Sequence, residues 1–145
     1  TLYDWSKLVY TLAKARFHTD SIIIYGKSMG TGIATNLASK EKCQRLILET
    51  PYYDFPSVAR QFLFIYPVDW LIKYKLRTYK YLKYVEVPVT IFHGTSDNVI
   101  FYRNAKRLKP ILKPTDEFVT IDGGHHNDLF EFEDVTRKLD SLLHR

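Results

Sequence analysis

Ile24-Tyr25-Gly26-Lys27-Ser28-Met29-Gly30 decides how this sequence is read. Ahead of the serine, Ile22-Ile23-Ile24-Tyr25 is a short run dominated by β-branched residues, as in a buried strand. Behind it, residues 29–39 are rich in Ala, Leu and Ile, and their pattern predicts a helix. A G-x-S-x-G segment between a strand and a helix makes a turn so tight that the positions two before and two after the serine must be small. Gly26 and Gly30 meet that need, and Gly32 would let the helix pack closely. Such a turn pushes the Ser28 hydroxyl outward. It also sets the Met29 backbone N–H at a helix start, aimed at an oxyanion developing on whatever Ser28 attacks. The plainer alternative is a glycine-rich turn with a bystander serine. Gly-Lys-Ser also suggests a phosphate loop, but that motif needs a glycine five positions before Gly26, where Ser21 stands.

Working outward, Leu2, Trp5, Leu8, Val9 and Leu12 recur at three-to-four spacing and predict an opening amphipathic helix. Residues 45–49, 88–93 and 117–121 are three more apolar runs that end at turn residues, and each predicts a strand. Residues 101–109 predict a helix, and a last helix is expected from near Asp128, where Asp128 and Glu131 have capping-box spacing. Its buried stripe would be Phe132, Val135, Leu139 and Leu142. Strands alternating with helices imply an α/β fold, a parallel sheet covered by helices on both faces. No repeat or linker divides the chain, so residues 1–145 form one domain. Residues 52–85 read as an insertion of short helices and loops.

In parallel sheets, ligands bind at the carboxyl ends of the strands. Three loops meet that condition: Gly26–Gly30, Gly94–Val99 and Gly123–Asp128. A serine hydroxyl is a poor nucleophile without a base, and the base needs an orienting carboxylate. Asp97 and the pair His125-His126 stand in those loops in the chain order Ser, acid, His. The alternatives are a solvated turn aspartate and two loop histidines. Asp54, after the second strand, is the second choice of acid. His93, His18, His144 and the lone Cys43 read as structural or exposed groups. No Cys or carboxylate cluster joins the histidines, so no metal and no cofactor are expected.

With these motifs in hand, the sequence resembles the α/β-hydrolase superfamily, and most of all its Bem46-like and depalmitoylase-like branch. Gly26-Lys27-Ser28-Met29-Gly30-Thr31-Gly32 looks like that branch's elbow, and His93-Gly94-Thr95-Ser96-Asp97-Asn98-Val99-Ile100 its acid loop. Gly124-His125-His126-Asn127-Asp128 is similar to its histidine loop, with His125 where the family has glycine, so the resemblance assigns the base to His126. It implies a serine hydrolase that cleaves a carboxylic ester or thioester through an acyl-enzyme, with Ser28, His126 and Asp97 as the triad and Met29 as an oxyanion-hole donor. It also implies a larger sheet, of which only the last four strands can be placed. The second oxyanion-hole donor and the N-terminal half would then lie on a preceding segment or second fragment. An inactive fragment, or a non-catalytic binding module on the same fold, is the competing expectation.

Residues 52–85 would form a small lid, with Phe55, Phe62, Tyr66 and Trp70 as acyl-pocket candidates. Leu63, Phe64 and Ile65 belong with them, and the lid's own core is the other use for such residues. Lys73, Lys75, Arg77, Lys80 and Lys83 alternate with Tyr74, Tyr79, Tyr81 and Tyr84, which suggests contact with a membrane surface. A solvated helix face with snorkelling lysines is the stronger reading, and no nucleic-acid motif accompanies the net charge of +5. With 46% apolar and 15% aromatic residues over 145 positions, the composition excludes disorder. One cysteine excludes a disulfide framework, and no apolar run approaches the roughly 18 residues of a membrane span. The cytoplasm is the expected compartment, with any anchor or signal outside these residues.

Overall fold

The computed structural model describes residues 1–63, 65 and 75–144. Its elements are α1 (Leu2–Lys14), β1 (Ile23–Lys27), α2 (Gly30–Ala38), β2 (Arg45–Glu49), α3 (Phe55–Phe62), α4 (Thr78–Leu82), β3 (Val89–Gly94), α5 (Tyr102–Lys106), β4 (Glu117–Ile121) and α6 (Glu133–Leu143). Short 3-10 turns occupy Thr19–Ser21, Lys109–Ile111 and Leu129–Glu131.

The strands form one sheet in the order β1-β2-β3-β4, and every neighbouring pair is parallel. Successive side chains of a strand point to opposite faces, so Leu46-Ile47-Leu48 supplies two cores at once. Leu46 and Leu48 pack with Ile24, Ala34, Ala38, Leu82, Val89 and Ile91 on the face covered by α2 and α4. Ile47 packs with Phe92, Ile121, Val135 and Leu142 on the face covered by α6. This explains why β2 and β3 show no alternation of buried and exposed residues: both of their faces are dry. The register pairs Lys27 with Glu49 and Gly94 with Ile121, so the loops after β1, β3 and β4 leave from one end of the sheet.

The opening helix forms where its spacing predicts it, and two other local expectations are revised. The apolar stripe of α1 does not face the sheet: Trp5, Val9 and Leu12 are 68%, 65% and 62% exposed. The helix instead docks through Tyr10, which is buried and donates its hydroxyl to the Lys42 carbonyl at 2.6 Å. The last helix begins at Glu133, not near Asp128, because the Asp128 carboxylate turns back to His125 rather than capping a helix. The helix expected over 101–109 covers Tyr102–Lys106 and ends before Lys109–Ile111 tightens into a 3-10 turn, where Pro110 lacks the amide a continuing helix would need.

Candidate active site

Ser28 follows β1 directly and holds φ at 49°, in the left-handed region that a serine seldom occupies. The position is fixed from both sides. The Ser28 amide donates to the Glu49 carbonyl at 2.9 Å, and the Thr31 amide donates to the Ser28 carbonyl at 3.0 Å. Gly26 is needed for close approach: a Cβ there would lie 2.6 Å from the Ala34 Cβ and 2.8 Å from the Gly30 carbonyl oxygen. Gly30 differs from expectation, because a Cβ at that position would meet nothing within 4 Å. Lys27, on the strand, reaches the buried Glu49 carboxylate at 2.8 Å, an ion pair that the sequence did not flag.

Asp97 lies in the loop after β3. Its Oδ1 accepts from the amides of Val99 and Ile100, both at 2.9 Å. Its Oδ2 faces His126 Nδ1 at 2.8 Å. Burial by itself would raise the Asp97 pKa, but the His126 contact and the two amides outweigh it and hold the carboxyl below the ordinary carboxylate range. The group therefore stays ionised at neutral pH. Its contribution to stability is complete above the unfolded value and is lost as pH falls through the lower folded value.

His126, in the loop after β4, is 8% exposed, and its Nε2 lies 3.0 Å from Ser28 Oγ. Ser28, His126 and Asp97 thus form one continuous hydrogen-bonded chain built from three separate strand ends. Two glycines bring the acid and histidine loops together, since a Cβ on Gly94 would lie 2.0 Å from the Gly124 carbonyl oxygen. Asp128 closes the histidine loop by accepting from the His125 amide at 2.6 Å and by facing His125 Nδ1 at 2.9 Å. His125 itself is exposed and points its ring at Asp128, so the structure brings only the second histidine to Ser28.

The remaining candidates separate clearly. Asp54 caps α3, accepting from the Ser57 amide at 2.8 Å, and is not the acid that meets His126. His93 is fully buried beside Asp97, with Nδ1 3.1 Å from the Gly94 carbonyl oxygen and Nε2 3.7 Å from Asp97 Oδ2. Desolvation holds its pKa below the usual histidine value. Cys43 is buried in the core, and burial pushes its thiol up to about 11. Among the described residues, no group of three or more His, Cys, Asp or Glu could hold a metal ion.

In the lid segment, Phe55 packs edge-on to Tyr52 at 6.2 Å and belongs to a small core with Tyr3, Ile33 and Val58. Phe62 is exposed, with its ring 5.8 Å from Phe101. Tyr66 and Trp70 lie outside the described residues, as do Phe64, Lys73 and Tyr74. Tyr79 stacks on Tyr53 at 4.4 Å, and Tyr81 meets Tyr3 edge-on. Lys75, Lys80 and Lys83 are exposed. Within α4, Tyr79 and Tyr81 thus face neighbouring aromatic rings while Lys80 is exposed, and Tyr84 just beyond the helix is exposed as well.

No protein-family model matches the chain. It is 28% identical to alpha/beta hydrolase domain-containing protein 17C of Xenopus tropicalis, in an alignment that covers 86% of this chain and 39% of that protein. It is 32% identical to the lysophosphatidylserine lipase ABHD12 of the same organism, in an alignment that covers 78% of this chain and 32% of that protein. The chain thus spans about two fifths or less of these curated relatives. Among solved structures, MGS-MChE2, an alpha/beta hydrolase enzyme from a lagoon-sediment metagenome, superposes with a TM-score of 0.71 at 20% identity. That match covers 97% of this chain and 68% of the other.

Proposed function

Because the chain belongs to the α/β-hydrolase superfamily, we propose that it acts as a serine hydrolase on a carboxylic ester or thioester, with Ser28 as nucleophile, His126 as base and Asp97 as its orienting acid. The observation that carries this reading is the chain of contacts from Ser28 Oγ to His126 Nε2 at 3.0 Å and from His126 Nδ1 to Asp97 Oδ2 at 2.8 Å. His126 Nε2 takes the hydroxyl proton as Ser28 Oγ bonds to the substrate carbonyl carbon. The carbonyl oxygen becomes an oxyanion and accepts from the Met29 amide at the start of α2. His126 then passes its proton to the leaving alcohol or thiol, and the acyl group stays on Ser28. Water, deprotonated by His126, attacks the acyl-enzyme ester, and the proton passes from His126 to Ser28 Oγ as the acid leaves. Asp97 remains ionised throughout and balances the charge on the imidazolium. The thioester arm rests on the motif resemblance to the depalmitoylase-like branch, and the exposed Phe62 and Leu63 would suit an acyl chain.

The test is labelling of the intact protein with a fluorophosphonate, together with hydrolysis of a p-nitrophenyl ester. Ser28→Ala should abolish labelling. His126→Gln and Asp97→Asn should lower kcat by about 10⁴-fold or more. Equal labelling of native protein and Ser28→Ala would leave a non-catalytic member of the fold.

A further inference from the structure

We propose that Thr31 and Tyr52 are positioning residues that aim the Met29 amide at the oxyanion, by pinning the carbonyl oxygens of two consecutive peptides at the elbow. This rests on the serine-hydrolase reading of Ser28. The Ser28 carbonyl and the Met29 N–H are the two ends of one planar trans peptide, so they point in opposite directions. Whatever fixes the carbonyl therefore aims the amide. The Ser28 carbonyl accepts twice from Thr31: from its amide at 3.0 Å and from its hydroxyl at 2.6 Å. The following peptide is held as well, because the Tyr52 hydroxyl donates to the Met29 carbonyl at 3.0 Å.

Both side chains are out of solvent, Thr31 at 0% and Tyr52 at 1% exposure, so water does not compete for these carbonyls from their side. Tyr52 reaches Met29 only because residue 32 is glycine: a Cβ there would stand 2.4 Å from the Tyr52 hydroxyl. A threonine that bonds the carbonyl three residues back is common in helices and usually has only local consequences. Here that carbonyl belongs to the nucleophile's own peptide, and the bond is followed by a second clamp from a different strand end. Pinning both planes removes the freedom of ψ at Ser28 and φ at Met29, the two torsions that would swing the amide away. An oxyanion donor that is already oriented need not reorganise during the reaction.

The measurement uses the intact protein, a p-nitrophenyl ester and a fluorophosphonate, with rates referred to folded protein by thermal melting. Thr31→Val keeps the shape and deletes the hydroxyl; Tyr52→Phe does the same at the second clamp. Each should lower kcat by about 10-fold to 100-fold and slow labelling in parallel, with KM near the native value. Thr31→Ser restores the hydroxyl and should recover most of the native rate. The double variant should approach the cost of a lost oxyanion donor, about 10²–10³-fold. The inference is overturned if native protein labels at Ser28 while Thr31→Val and Tyr52→Phe match it per folded molecule. Equal loss in Thr31→Ser and Thr31→Val overturns it too, as does loss confined to KM. Should Thr31→Val not fold, Tyr52→Phe decides the question by the same criteria. If native protein itself fails to label, the hydrolase reading falls first and takes this inference with it.

Discussion

Asp54 and Asp97 each follow a strand of the same sheet, and their hydrogen bonds give them different work. Asp54 spends its carboxylate on the first turn of α3, whereas Asp97 divides its two oxygens between backbone amides and His126. Asp54→Ala should therefore cost about 1 kcal/mol of stability, the usual worth of an N-cap, and leave kcat at the native value. Chemical denaturation and ester hydrolysis on the same preparation would check this, and a large kcat loss would move the acid role to Asp54. At this scale the sequence placed Ser28, Asp97 and His126 in loops that follow strands, and the structure brings those three side chains into contact. It was silent on Thr31 and Tyr52. Their part depends on which carbonyl a hydroxyl reaches, and that is settled by the crossing of α2 with the exit of β2 rather than by any local pattern.

Between elements, the contact most sensitive to change is the one where Gly94 ends β3 against Gly124. A methyl group added at Gly94 would sit 2.0 Å from a backbone oxygen, and backbone cannot yield as a flexible side chain can. Gly94→Ala should force the acid and histidine loops apart and cost about 1–3 kcal/mol, with kcat falling further than the melting temperature alone accounts for. Native kcat in Gly94→Ala would mean that the loops tolerate separation. The strands themselves were legible, since β2 and β4 fall at residues 45–49 and 117–121 as their apolar runs indicate. The orientation of α1 was not. Periodicity reports that a helix has an apolar face, not which neighbour covers it, and here Tyr10 does the docking while Trp5 and Val9 stay in solvent.

Taken as a whole molecule, the sheet has β1 paired on one side only among the described residues. Tyr25 on that strand is 44% exposed, close to the uncovered face of α1. An unpaired edge beside exposed apolar side chains favours association. Expressed as these 145 residues alone, the chain should form oligomers at micromolar concentration, and charged replacements at Trp5 and Val9 should reduce them. Light scattering would check this; a monomer with the native sequence would contradict it. The α/β class with both faces covered was legible because alternating strands and helices admit few arrangements. The proposed nucleophile and base stand 98 positions apart in the chain, which has a consequence in time. A ribosome that has delivered β1, β2 and β3 has released the serine and the acid but not the imidazole. An unactivated hydroxyl attacks little, so on the proposed reading the nascent chain stays chemically quiet until the loop after β4 is made.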